Sequence, residues 1–196
     1  MRICGDGCLD LRAKREYSIL LVIDVQEKLI DTVLTKQRLI ENVKALGKVA
    51  AVMHLPNLVT EQEKLGATVP ELREILSGSP TVRKLEFSCC QNSEFMSKLR
   101  EAGRRTVFVC GIEAHICVLQ TVLDLLSAGY NVHLVKDALS SNASVDLEAA
   151  VERMRDAGAV ITTSEAAIYE LTERAGTDEF RRILDIVKER RLAISG

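Results

Sequence analysis

Four short and nearly continuous runs of apolar residues most constrain how this chain can fold. They occupy 18–24 (SILLVID), 106–111 (TVFVCG), 131–137 (NVHLVKD) and 159–163 (AVITT). Because the apolar residues are consecutive rather than alternating, these runs predict strands buried on both faces, as in a parallel sheet covered by helices. Two weaker candidates, 56–60 and 81–85, bring the predicted sheet to six strands.

Helical patterns separate the apolar runs. After the first run, apolar residues recur at steps of three and four at Leu39, Val43, Leu46, Ala50 and Met53. That spacing predicts an amphipathic helix with one face on the core. Repetition of strand and helix with short connections predicts a three-layer, Rossmann-like α/β domain.

The length of 196 residues favours one domain with a single hydrophobic core. We expect the domain to span 17–175, and residues 176–196 to contain a helix, near 177–190, packed on the same domain. Residues 1–16 are predicted to form a mobile tail, because they contain no apolar run long enough for a signal peptide.

Composition excludes several classes of partner. The chain carries 26 basic and 28 acidic residues, a net charge of -2, which does not favour nucleic acid or an anionic membrane. No segment reaches the roughly 18 uninterrupted apolar residues that a membrane span requires. The six cysteines show no spacing of a disulfide framework. We therefore expect a cytoplasmic protein with reduced thiols and a small-molecule partner.

Three residues near the ends of predicted strands carry chemistry. Asp24 ends the first strand, Lys84 ends the strand at 81–85, and Cys117 lies just after the strand at 106–111. In an open parallel sheet the ligand crevice lies beyond the carboxyl ends of the strands. Each residue also has a structural interpretation: a helix cap for Asp24, a surface position for Lys84, and a small buried apolar side chain for Cys117.

A nucleophilic Cys117 needs a base. His115 is two residues away, which on a helix separates side chains by about 200° and prevents them from facing each other. Asp24 is then the candidate base for the thiol proton. A carboxylate and a thiolate in a dry cleft repel each other, so Lys84 would supply the compensating charge. Backbone N–H groups of the 111–117 turn are candidate donors to an oxyanion.

The residues around these three positions resemble a known family. Asp24 in LLVIDVQEKL, Lys84 ahead of LEFS, and Cys117 in GIEAHICVLQTVLDLLSAGYNVHLVKDALSS look like the Asp-Lys-Cys triad of the isochorismatase-like cysteine hydrolases. The resemblance covers about 17–175. The segment VTEQEKLGATVPEL is further similar to the eukaryotic isochorismatase-domain-containing proteins.

The resemblance implies a six-stranded parallel sheet with strand order 3-2-1-4-5-6. It implies that Cys117 attacks a carbonyl or amide carbon, that Asp24 is the general base and that Lys84 stabilises charge. It also implies a cis peptide bond between Ile112 and Glu113, and an oxyanion hole made by the backbone N–H groups of Glu113 and Cys117. A homo-oligomer, either a dimer or a tetramer, is common in the family.

The sequence departs from the nicotinamidase pattern in that superfamily. Nicotinamidases have a histidine-containing metal site after the second strand, whereas the segment NLVTEQEKLGATVPEL contains no histidine. We therefore expect no metal and no cofactor. For the substrate pocket, the candidates are Gln26, Leu29 and Phe87.

Two functions remain open from the sequence. The first is a cofactor-independent hydrolase that acts on a small amide, imide or ester through a Cys117 thioester. The second is a non-catalytic binding or scaffolding protein that retains the hydrolase pocket. The intact set of three residues favours the enzyme.

Overall fold

The computed structural model describes residues 12–195. Its centre is a parallel sheet of six strands in the order β3-β2-β1-β4-β5-β6. The strands are β1 Ser18–Ile23, β2 Asn57–Gln62, β3 Thr81–Lys84, β4 Thr106–Gly111, β5 Asn131–Leu139 and β6 Val160–Thr162. The α/β class, the number of strands and their order are confirmed, since each strand pairs in parallel with its neighbours.

Seven helices cover the sheet within the described residues. They are α1 Lys36–Met53, α2 Pro70–Arg73, α3 Ser93–Glu101, α4 Leu119–Ser127, α5 Ser144–Asp156, α6 Ser164–Thr172 and α7 Asp178–Ser195. The predicted apolar stripe of α1 is buried along its length. None of the helices in residues 12–195 combines the length and apolarity needed to cross a bilayer.

Alternate residues of each central strand enter two separate cores, because successive side chains of a strand point to opposite faces. In β1, Leu20 and Val22 pack with α1, α6 and α7. Ile19, Leu21 and Ile23 pack with α3, α4 and α5 on the other face. All six residues of β1 are buried, which is why its sequence is continuously apolar rather than alternating.

The predicted mobile tail, 1–16, falls mostly outside the described residues. Its last part, 12–16, is described, and there the chain packs against the domain. Ala13 is buried, and its backbone N–H donates to Glu170 Oε1 at 2.7 Å. Arg15 donates from Nε to the carbonyl of Met53 at 2.8 Å. These contacts join the residues just ahead of β1 to α6 and α1, and the mobile tail stays a prediction.

The C-terminal helix α7 is held by a buried cation. Arg190 is only 7% exposed. It donates to Asn42 Oδ1 at 2.6 Å and to Asp137 Oδ2 at 2.9 Å, and its third contact is Glu165 at 3.2 Å. These partners lie on α1, β5 and α6, so one guanidinium joins α7 to three elements of the domain. The predicted helix is confirmed and extends to Ser195.

Arg190→Ala should destabilise the protein strongly. Removing one partner of a buried ion pair leaves uncompensated charge and typically costs about 3–5 kcal/mol. The free energy of unfolding from urea titration measures this loss. Arg191→Ala is the matched control, because Arg191 is exposed and contacts the same Glu165. Equal effects of the two substitutions would contradict the assigned role of Arg190.

Gly111 ends β4 at the point where the chain turns toward the site. Its φ of 127° is unfavourable for residues with a side chain. A Cβ placed there would lie 2.0 Å from the carbonyl oxygen of Ile23. Glycine is therefore required where the end of β4 lies against the end of β1.

Gly111→Ala should be more destabilising than Gly158→Ala. Gly158 also has a positive φ, of 108°, but a Cβ there meets no atom within 4 Å. The difference between the two variants isolates the collision with Ile23. We expect Gly111→Ala to lose about 3 kcal/mol or more in urea unfolding. A similar loss in both variants would contradict the collision.

Candidate active site

Asp24 lies directly after β1 with its carboxylate turned into the protein. It is fully buried and has a φ of 52°, a conformation that is uncommon for residues other than glycine but is tolerated by aspartate. Its Oδ1 accepts from the Thr60 hydroxyl at 2.7 Å, and its Oδ2 accepts from Lys84 Nζ at 2.6 Å. The helix-cap interpretation of Asp24 is therefore wrong, because the carboxylate bonds to side chains.

Lys84 is the last residue of β3, and it is 1% exposed. Its ammonium also donates to Gln62 Oε1 at 2.8 Å and to the Glu86 carbonyl at 3.2 Å. Burial, the largest single effect, lowers the pKa of Lys84, but the charge of Asp24, the hydrogen bond to it and the nearby acidic thiols together outweigh burial, so the pKa is raised. The surface interpretation of Lys84 is wrong, and the residue keeps its positive charge inside the protein.

Cys117 lies in a π-helical turn, Ala114–Val118, that leads into α4. The thiol is 6% exposed, and its Sγ lies 4.0 Å from Gln62 Oε1. Burial raises the pKa of Cys117 to about 12, and the charge of Asp24 and a side-chain hydrogen bond to it add to the increase. Lys84 acts in the opposite direction. The thiol is therefore protonated at neutral pH, and it lies close enough to the candidate base to be affected by its charge.

The turn before Cys117 has an unusual backbone. The peptide bond between Ile112 and Glu113 is cis, as the resemblance implied. The backbone N–H of Ala114 donates to the Ser140 carbonyl at 2.9 Å, and Glu113 Oε1 accepts from the backbone N–H of Asn142 at 3.2 Å. These bonds tie the turn to the loop after β5. The oxyanion hole at Glu113 and Cys117 stays a prediction.

The side chain of His115 has a partner other than Cys117. Its Nδ1 lies 3.0 Å from the Ser141 hydroxyl oxygen, on the loop that follows β5. The interaction links the π-helical turn to that loop. This contact agrees with the expectation that His115 and Cys117 do not face each other.

The three predicted pocket residues have different environments. Gln26 is fully buried, and its amide binds the backbone of Gln62 and Gly66, so it supports the chain beyond the end of β2. Leu29 is partly buried against the core. Phe87 is 54% exposed, and its backbone carbonyl lies 3.5 Å from Lys84 Nζ. A role of these three residues in a substrate pocket stays a prediction.

Sequence reasoning missed two residues of the site, Thr60 and Gln62. Both belong to the second half of β2, and Gln62 is its last residue. Thr60 contacts Asp24, and Gln62 contacts both Lys84 and Cys117. Asp24 and Lys84 were identified because polar residues at the carboxyl ends of parallel strands lie near the ligand crevice. The same rule applies to the segment NLVTEQ.

Glu61, the acidic residue near the end of β2, has partners within the protein. Glu61 Oε1 accepts from the backbone N–H and the hydroxyl of Thr68 at 2.7 and 2.9 Å. Among residues 12–195 there is no group of three or more histidine, cysteine or acidic side chains that could hold a metal ion. The expected independence from metals and cofactors stays a prediction.

Fold and site together define a three-layer α/β protein that gathers a carboxylate, an ammonium and a thiol beyond the strand ends. The model of the isochorismatase domain matches residues 18–166, which is more than half of the chain. The chain therefore belongs to the isochorismatase family.

Two relatives match nearly the whole chain. The secreted isochorismatase effector Isc1 of Phytophthora sojae is 39% identical over 178 residues, covering 88% of this chain and 85% of the relative. Isochorismatase domain-containing protein 2A of Mus musculus is 38% identical over 179 residues, covering 89% and 84%. The predicted similarity to the eukaryotic domain-containing proteins is confirmed.

Two solved structures share the fold closely. The MAR1 ribonuclease from Caenorhabditis elegans has a TM-score of 0.85 and 37% identity, with 90% of this chain and 92% of that chain covered. YcaC from Pseudomonas aeruginosa, with hexane-2,5-diol and covalent acrylamide, has a TM-score of 0.86 and 25% identity, with 95% and 96% covered.

Lys84→Met should be costly alone and less costly in combination with Asp24→Asn. The single variant leaves a fully buried carboxylate without its cation, which typically costs about 3–5 kcal/mol. The double variant removes both charges and should lose clearly less than the sum of the two single variants. Urea unfolding of all four proteins measures this coupling. Additive losses would contradict a direct interaction between the two groups.

Proposed function

We propose that this chain is a cofactor-independent cysteine hydrolase that acts on a small amide, imide or ester. Cys117 is the nucleophile, Asp24 is the general base, and Lys84 stabilises negative charge. The reaction passes through a thioester on Cys117. Membership of the isochorismatase family supports a hydrolase.

One observation carries the proposal: three residues that are far apart in the sequence share one buried network. Lys84 Nζ lies 2.6 Å from the Asp24 carboxylate, and Cys117 Sγ lies 4.0 Å from Gln62 Oε1, the oxygen that accepts from the same ammonium. A buried ion pair seldom repays its desolvation cost through stability alone. A chemical role for the pair accounts for its presence beside a thiol.

The state of the thiol decides how the first step proceeds. Because the pKa of Cys117 is raised to about 12, only a very small fraction of the thiol is ionised at neutral pH. The proton therefore passes to Asp24 as sulfur attacks, rather than being lost to solvent beforehand. The transfer conserves the charge of the site, since Asp24 becomes neutral as the negative charge moves through sulfur to the substrate oxygen.

The rest of the cycle uses the same groups. The tetrahedral intermediate collapses when the carbon–nitrogen or carbon–oxygen bond breaks, and the leaving group takes the proton from Asp24. Water then attacks the thioester, gives a proton to Asp24, and the Cys117 thiolate leaves. That proton returns to sulfur as the acid product departs. Each cycle consumes one water molecule and no other reactant.

Backbone N–H groups of Glu113 and Cys117 are the proposed donors to the oxyanion. They flank the turn that begins with the cis peptide bond, beside the reacting sulfur. One well-placed donor of this kind contributes about 3 kcal/mol to the transition state. The low exposure of Cys117 favours a small substrate, with the ring of Phe87 at the entrance.

Other functions are tested by the same assay. The name MAR1 ribonuclease is carried by several structural neighbours, but the net charge of -2 and the buried thiol do not favour RNA as the substrate of this chain. RNA is therefore included as a comparison substrate.

A binding or scaffolding role predicts no turnover of any substrate. The expected homo-oligomer and cytoplasmic location stay predictions.

Cys117→Ala should abolish hydrolysis, with a loss of at least about 1,000-fold across a panel of small amides, imides and esters. Iodoacetamide and acrylamide should modify Cys117 before Cys89 and Cys110, both of which are fully buried. Peptide mass spectrometry measures the site of modification. Acrylamide is included because it is covalently bound in the YcaC structure.

Cys90→Ser is the matched control and should retain activity, since the half-buried Cys90 thiol contacts the Thr121 carbonyl at 3.8 Å rather than Asp24 or Lys84. Equal modification of Cys89, Cys90, Cys110 and Cys117 would contradict the proposed nucleophile. Loss of RNA cleavage, but not of amide cleavage, in Cys117→Ala would contradict the proposed substrate class.

A further inference from the structure

Gln62 occupies the position between the ammonium and the thiol. Its Oε1 accepts from Lys84 Nζ at 2.8 Å and lies 4.0 Å from Cys117 Sγ. Its Nε2 donates to the Leu85 carbonyl at 2.8 Å. That donor contact sets the direction of the amide, because the carbonyl of Leu85 requires the nitrogen on its side. The amide oxygen is thereby directed at both reacting groups.

The backbone of Gln62 is fixed independently by Gln26. Gln62 donates its N–H to Gln26 Oε1 at 2.8 Å and accepts from Gln26 Nε2 at 2.9 Å. Gln26 Nε2 also donates to the Gly66 carbonyl at 2.7 Å. A fully buried side-chain amide thus extends the hydrogen bonding beyond the end of β2. Gln62 is held at both its main chain and its side chain.

We propose that Gln62 is a positioning residue: its uncharged oxygen holds the Lys84 ammonium beside the Cys117 thiol without neutralising it. This inference rests on the proposed hydrolase function and deepens it. Among residues 12–195, no other side chain contacts both groups through a neutral oxygen.

The chemical step explains why a neutral acceptor is suitable. In the resting state Lys84 donates to the charged carboxylate of Asp24. When Asp24 takes the thiol proton it becomes neutral, and the ammonium is then attracted to the negative charge that develops near sulfur. Gln62 stays bound to the ammonium throughout and keeps it close to the reaction. A carboxylate in its place would compete with the thiolate for the same cation and would repel it.

The test is the rate of iodoacetamide modification of Cys117 against pH, measured by peptide mass spectrometry in the wild type, Gln62→Glu and Gln62→Met. In Gln62→Glu the added negative charge should move the pH midpoint upward by about one unit. Because the pKa of Cys117 is raised to about 12, the shift is measured as a modification rate about tenfold lower at the same pH, below the midpoint. Gln62→Met has a similar volume and adds no charge. If Gln62→Glu does not fold, the kcat of Gln62→Met still tests the proposal.

Measurement of kcat and KM distinguishes a positioning role of Gln62 from a purely structural one. Gln62→Met should lower kcat about 10- to 100-fold with little change in KM. The reason is that the variant no longer holds the Lys84 ammonium in position, whereas the substrate pocket is unchanged. Gln37→Glu, on the exposed start of α1, adds the same charge away from the site and should leave the pH midpoint and kcat unchanged.

The outcomes distinguish a failure of the proposed role of Gln62 from a failure of the proposed hydrolase function. Unchanged pH midpoints and kcat in both Gln62 variants, with selective modification of Cys117 in the wild type, would overturn only the role of Gln62. Absence of selective Cys117 modification in the wild type would overturn the hydrolase and this inference with it. A reduced thermal stability without any change in pH midpoint or kcat would assign Gln62 a structural role alone.

Discussion

The ion pair between Asp24 and Lys84 is the constraint on which the site depends. Both side chains are fully shielded from solvent, and their charged atoms lie 2.6 Å apart. Two charges in a protein interior are expensive unless their remaining hydrogen bonds are satisfied. Here Thr60 and Gln62 supply those bonds. The end of β2 is therefore required to complete a pair that β1 and β3 provide.

This arrangement keeps the Cys117 thiol, the proposed nucleophile, in its neutral form. The ion pair is internally balanced, and burial next to the Asp24 charge raises the pKa of the Cys117 thiol. Cys89 and Cys110 are buried too, and their pKa values are also raised by burial. Cys117 differs from them in its contact with Gln62, which also binds the Lys84 ammonium.

Much of the fold follows from local sequence. Continuous apolar runs indicated four of the six strands, and they identify the central strands β1 and β4 because both are buried at every residue. The signal for β3 was weaker, since β3 is buried only at alternate residues. The residues Asp24, Lys84 and Cys117 were found from their places at strand ends and from the family resemblance. Thr60 and Gln62 lie near a strand end too, but their partners are decided by the neighbours that β1, β3 and the Ala114–Val118 turn bring to them.

The sequence by itself determined the α/β class, the helix stripe of α1 and the presence of reactive residue types at strand ends, because these depend on periodicity over a few residues. Tertiary structure decided which groups meet. Gln26 supports the backbone, since Gln62 and Gly66 lie within reach of its amide. Ala13 and Arg15 contact Glu170 and Met53, which lie far away in the sequence. Hydrogen-bond partners more than 30 residues apart are set by strand order, which local patterns do not encode.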